Sequence, residues 1–297
     1  MKAFAPLLLL VPAIASAGLI TDREFEETIT DVSSKGIVEI DNTAGYVEIT
    51  GTNAKQVVVK GRLGRKVEGI EIESSRGRVS IRVRHNGGSR DWDSGEARLE
   101  IELPKASQLD VVTVSAEIQV EDVVGEQRLK SVSGEIETDA YDRNVIAGSV
   151  SGDVQINGSG GQMDEVRLSS VSGDVYGTKL NGDIEARSTS GDVIVRDSRI
   201  SSGEFSSTSG DVEVSATFLS GARMDFESVS GDVELTIIGK HDGSYDIRTF
   251  SGDIDNCFGP EPEKRRNRNQ RLRFAHGDED YSRVDVTTMS GDIEICN

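Results

Sequence analysis

A six-residue phrase ending in Ser-Gly-Asp-Val returns along this chain at nearly even intervals, and no other feature restricts the possible folds as much. It reads SVSGDV from Ser149, Ser170 and Ser228, and STSGDV from Ser188 and Ser207; SVSGEI from Ser131, TFSGDI from Thr249 and TMSGDI from Thr288 are variants. The phrase places glycines at Gly134, Gly152, Gly173, Gly191, Gly210, Gly231, Gly252 and Gly291, so copies lie 18 to 21 residues apart until a last step of 39. Degenerate copies centre on Ala116 (TVSAEI) and Gly45 (NTAGYV). Self-similarity at a fixed period of this length is the mark of a repeat architecture, because one unit of about 20 residues cannot bury its apolar face alone.

Side chains seven and five residues before each glycine are mostly apolar (Val145 and Ala147, Val166 and Leu168, Met224 and Phe226), and so are those two and four after it (Val154 and Ile156, Val193 and Val195, Val233 and Leu235). Polar residues lie between them. A period of two with one apolar face predicts half-buried strands, so each repeat reads as strand, glycine corner, strand. Stacking of such units predicts an all-β fold, a right-handed parallel β-helix or β-solenoid of about ten short coils, with Val154, Val175, Val193, Val212 and Val233 as one inward column. Alternation alone does not separate parallel from antiparallel pairing, and an antiparallel β-sandwich is the alternative.

At the corner, glycine supplies either a positive φ or the absence of a Cβ against the neighbouring coil. Serine one residue before it and Ser or Thr three before it are small hydroxyls that can bond one another or free backbone groups at a tight corner, so packing explains them. A catalytic serine would need one distinctive copy beside a base, and the only histidines are His85, His241 and His276. Aspartate follows the glycine at Asp153, Asp174, Asp192, Asp211, Asp232, Asp253 and Asp292 and reads as a corner-former. The nine-residue spacing of Gly173, Gly182 and Gly191 raises a calcium-stabilised solenoid as a further reading, but the spacing occurs only there. Apolar residues two before the glycine (Val132, Val150, Val171, Val229, Phe250 and Met289) break the alternation, and a bend at the preceding Ser or Thr is expected to turn them inward. If exposed, they would form a stripe suited to a partner.

The opening MKAFAPLLLLVPAIASAG has an early Lys, a short apolar run and Ala-Ser-Ala before Gly18, the pattern of a cleaved signal peptide over 1–17. Its apolar run is too short to span a bilayer, and nothing after it reads as a transmembrane segment. The expected protein is therefore exported, to the periplasm or the cell surface. A net charge of −19 repels phosphate backbones and argues against a nucleic-acid partner. The basic run KRRNRNQRLR, Lys264 to Arg273, is flanked by acids and reads as a solvated loop or a partner for the protein's own acidic face, with contact to anionic envelope polymers as the alternative. Residues 18–297 read as one domain, irregular over about 18–103, with a looped-out insertion over about 258–283. The single Trp, Trp92, lies in a Gly/Ser-rich loop and reads as a loop anchor or a contact residue.

Cys257 and Cys296 each stand five residues after a corner glycine. If the last two copies are adjacent, their Cα atoms fall near the strand spacing of about 4.8 Å, which predicts a disulfide in an oxidising compartment.

The repeated hexad, the turn Leu103-Pro104-Lys105, and the ending SGDIDNCFG … GDEDYSRVDVTTMSGDIEIC resemble the bacterial putative-adhesin family of Ser-Gly-Asp repeat proteins. The resemblance implies an exported or envelope-associated β-helical protein with no assigned active site, and it transfers no functional residues. The function expected is a non-enzymatic, adhesin-like binding or structural module without a cofactor, whose partner is an envelope component or another protein. The alternative, a polysaccharide lyase or hydrolase, needs a cluster of acids and bases that stands out from the repeat, whereas the acids here are spread evenly.

Overall fold

The computed structural model describes residues 18–85, 95–240, 242–264, 269–277 and 282–297. The predicted signal peptide, Trp92 with its loop, His241 and the centre of the basic run lie outside the described residues. The described residues are strands and connections, with no helix, and the pairing is mixed: parallel through the middle of the chain, antiparallel at both ends.

The parallel part follows the repeat. Val154 registers with Val175, Val175 with Val193, Val193 with Val212, and Val212 with Val233, all buried to within 1%. On the strand before the corner, Val145, Val166 and Ile184 form a second buried column. Further along, Phe205, Phe226, Val286 and Ile247 continue that face, with the two phenyl rings stacked at 5.2 Å. Each strand–corner–strand repeat is thus a rung whose inward side chains touch the same side chains of the rungs above and below.

The corner glycines are required for proximity and not for backbone conformation. None of the eight has a positive φ, so that half of the sequence expectation fails. A Cβ on Gly191 would lie 2.2 Å from the carbonyl oxygen of Gly173, and one on Gly173 2.3 Å from that of Gly152. Corners stack backbone on backbone, and a methyl group has no room there.

Rung order departs from chain order at both ends. The last repeat by sequence is not last in space: Val233 pairs with Ile293, and Ile293 pairs with Ile254. The C-terminal rung therefore lies between the rung of Gly231 and that of Gly252. Similarly, the strand Ile37–Thr52 carries the Gly45 corner and pairs in parallel with Gln108–Glu121 on one side, and with Arg78–His85 and Ala97–Pro104 on the other. Two antiparallel ribbons then close that end, Val67–Ser75 on Arg78–His85, and Gln56–Leu63 on Ala97–Pro104 with Glu24–Thr30 outside it.

The segment expected to loop out, about 258–283, contains regular structure. Gln270–His276 is a strand, antiparallel to Gly243–Thr249, and it covers the edge that this terminal rung would otherwise leave unpaired. Its alternation, with Gln270 and Leu272 buried and Arg271 and Arg273 facing outward to Asp246, suits a covering strand. A two-residue strand, Glu263–Lys264, pairs beyond it.

Candidate functional site: the exposed corner

The side chain three residues before each corner glycine points inward and saturates the corner backbone. Ser188 Oγ accepts the Gly191 N–H at 3.0 Å and donates to the Gly173 carbonyl at 2.9 Å. Ser149, Ser170 and Ser207 do the same on their rungs, and Thr288 and Thr249 supply the donor on the last two. With that position turned in, the next residue must face out. The inward expectation for the apolar residues two before the glycine is therefore wrong: the hydroxyl fills the inward slot, because the backbone groups there need a polar partner. Val132, Val150, Val171 and Val229 are exposed by 42–46%, Met289 by 55% and Phe250 by 61%. Val114, two before Ala116, extends the row, whereas Thr189 and Thr208 interrupt it.

On the other side of the corner the aspartates form a ladder. Asp153 Oδ1 accepts the Asp174 N–H at 2.8 Å, Asp174 accepts that of Asp192, Asp192 that of Asp211, and Asp211 that of Asp232. The chain of bonds then follows spatial order, Asp232 to Asp292 to Asp253. One oxygen of each accepting carboxylate is thereby occupied by a backbone amide. Tyr176 donates to the other oxygen of Asp174 at 2.9 Å, which pushes its phenol up to about 12, with burial and the neighbouring acids acting in the same direction.

At the final rung, Gln270 from the covering strand stands in for the amide that a further rung would offer. Its Nε2 donates to Asp253 Oδ1, as an aspartate N–H does elsewhere, and its Oε1 accepts the Ile254 N–H at 3.2 Å, as an aspartate carbonyl does elsewhere. Nothing in the sequence marks Gln270 for this task, because its partners depend on the inverted rung order. Nearby, Tyr245 stacks on Phe274 at 4.7 Å, and Phe258 meets both rings edge-on.

Cys257 and Cys296 are joined by a disulfide, with Cα atoms 4.9 Å apart. The basic run binds its own acidic face where described. Asp246 receives Arg248, Arg271 and Arg273; burial alone would raise its carboxyl, but the guanidinium bonds prevail and hold it below the ordinary value of 3.8. A column that sequence reading missed runs Glu185, Glu204, Asp225, Asp285, Asp246, one acid per rung. Asp225 in it is raised by burial and then by Glu227 and Asp285. Of the histidines, His85 is lowered by burial, and His276 lies edge-on to Phe258. Among the described residues, no helix is long and apolar enough to cross a membrane.

The sequence profile described as Toastrack DUF4097 matches residues 62–181 and again 177–296. No curated protein sequence matches the chain. Among solved structures, the chain is similar to one titled a putative cell adhesion protein from Clostridium sporogenes ATCC 15579, at 13% identity over 92% of this chain and 99% of that one, with a TM-score of 0.24. It is also similar to one titled a putative adhesin from Bacteroides fragilis NCTC 9343, at 11% identity over 94% of this chain and 100% of that one, with a TM-score of 0.43. By its two successive profile matches, which together take in most of its length, the chain belongs to the Toastrack DUF4097 family.

Proposed function

We propose that the protein is an exported, non-enzymatic, adhesin-like scaffold, and that the exposed stripe at the corner is where it holds a component of the cell envelope or another protein. Residues 1–17 are in this reading a cleaved signal, and 18–297 one domain. Its rungs wind as a right-handed β-solenoid, a reading supported by the unbroken parallel register from Ile136 to Ile254 and by the handedness of parallel crossovers.

The observation that carries the proposal is the stripe itself. A soluble surface gains nothing by placing Val132, Val150 and Val171 on consecutive rungs, and Val229, Met289 and Phe250 on three more. At a rise of about 4.8 Å per rung these form two flat apolar runs on a rigid support, and aligned apolar side chains of this kind mark interaction sites. The serines beside the stripe are exposed, and those three before the glycine are committed to backbone, so the hydroxyls serve architecture and not acyl transfer.

The test is capture from native envelope. A photo-crosslinking residue at Val150 should yield defined adducts, and the double substitution Val171→Ser with Phe250→Ser should abolish capture while leaving circular dichroism unchanged. Equal capture by the folded double variant would overturn the stripe as the contact surface. Degradation of an envelope polysaccharide by the purified protein would favour the enzymatic alternative instead.

A further inference from the structure

We propose that reduction of the Cys257–Cys296 bond opens a binding site for one thiophilic divalent cation, such as zinc, formed by the two thiolates and Glu294. The site is independent of the stripe and of the function proposed above.

Asp255 pairs with Glu294 on neighbouring parallel rungs; Cys296 ends the strand of Glu294, and Cys257 stands one residue past the end of the strand of Asp255, its N–H bonded to Ile295. Residues two apart on a strand share a face, so Glu294 and Cys296 project from the same outer surface, and the disulfide places Cys257 beside them. Cys257, Glu294 and Asp255 are exposed and Cys296 is half-buried, so a cation reaches them from solvent. The ligand atoms of Cys257, Glu294 and Cys296 lie within 4.8 Å of one another, and Cys296 Sγ is 3.5 Å from Glu294 Oε1.

Two sulfurs on a tetrahedral zinc, each at about 2.3 Å, are about 3.8 Å apart. Released thiolates on backbones 4.9 Å apart reach that separation by rotation about χ1, without movement of the strands. The frame is held independently of the sulfurs: Ile254 pairs with Ile293, Asn256 with Ile295, and the Cys257 N–H donates to Ile295 at 3.0 Å. Glu234, which registers with Glu294 from the next rung, adds negative field that favours a dication over a second proton. A water completes four-coordination.

A dithiol reductant transfers two electrons and two protons to the disulfide, giving two thiols while its own sulfurs become a disulfide; the cation then displaces both thiol protons to solvent. Oxidised, the pair has no thiolate to offer, so the site is gated by redox state.

Cobalt(II) tests this, because thiolate ligation gives a near-ultraviolet charge-transfer band and tetrahedral geometry gives intense visible bands. The reduced protein should bind one Co2+ per chain with both signatures, and the oxidised protein should show neither. Glu294→Gln should weaken binding by about tenfold or more while leaving the thiols titratable, and Cys296→Ser should remove the charge-transfer band of a dithiolate site. Bound zinc should also slow re-formation of the disulfide by oxidised glutathione. Equal binding by the oxidised protein, an unchanged affinity for Glu294→Gln, or reduced protein without a charge-transfer band would each overturn the proposal. If reduction disorders the C-terminal rung, recovery of its circular dichroism on adding zinc supports the site, and failure to recover refutes it.

Discussion

Replacing Ser188 by Ala isolates the device that closes each corner. Ser188 is 6% exposed, and its Oγ bonds two backbone groups, accepting the Gly191 N–H at 3.0 Å and donating to the Gly173 carbonyl at 2.9 Å. Alanine leaves both groups unpaired, and a buried polar group without a partner costs about 1–3 kcal/mol. Because Thr189 and Ser190 beside it are exposed, water reaches part of the corner, and the lower figure applies to each group, about 2 kcal/mol in all. That is about a 30-fold rise in the local opening constant. Hydrogen exchange at the Gly191 amide should lose protection by this factor, and the urea midpoint should fall. Ser188→Thr is the control, since Thr288 and Thr249 occupy the same place on their rungs and donate to the corner carbonyls at 3.2 and 2.9 Å. An unchanged exchange rate at Gly191 in the alanine variant, or equal loss in the threonine variant, would refute the reasoning.

Gly191→Ala should destabilise far more than Gly221→Ala, by at least several kcal/mol against about 1, as read from urea midpoints; the first forces a methyl to 2.2 Å from a backbone oxygen, while the second meets only an unfavourable φ of 71° in open space. Reduction should lower stability by about 4 kcal/mol, the loop-closure value for a separation of 39 residues, and the drop should vanish in a Cys257→Ala, Cys296→Ala double variant. Because Asp246 is held below its ordinary 3.8, its pairing with the arginines stabilises fully above that value and is lost as pH falls through the depressed folded value. Exchange in Gln270–His276 should therefore accelerate on acidification before that in Val193–Ser207, and Asp246→Asn should remove the difference.

The repeat was legible because its two signals are local. Alternation assigned Val154, Val175, Val193, Val212 and Val233 to one inward column, and the common offset of Cys257 and Cys296 from a glycine placed them side by side. What alternation could not reveal was the direction of the residues two before the glycine, because a hydrophobicity pattern treats a buried serine as an outward one. The phase is carried instead by Ser149, Ser170 and Ser188, whose backbone bonds outweigh their polarity. Rung order was illegible for a different reason: Val233 has the same corner register with Ile254 as with Ile293, so nothing in the repeat itself selects the neighbour. The acid column at Glu204, Asp225, Asp285 and Asp246, and the role of Gln270, depend on that choice and were hidden with it.

The inverted order has a consequence for how the molecule comes into being. As the polypeptide emerges from its amino end, the rung of Gly252 is complete while its proper neighbour has not yet been made, and the rung of Gly231 presents a matching edge to it. Pairing of those two edges would be in register, with Val233 against Ile254, and would shut the final segment out. We expect the placement of residues 282–297 between these two rungs to be a late step, because it makes long-range contacts of the kind that slow folding. A chain arrested just before Ser282 should settle in the premature pairing, and releasing the remainder afterwards would have to undo it.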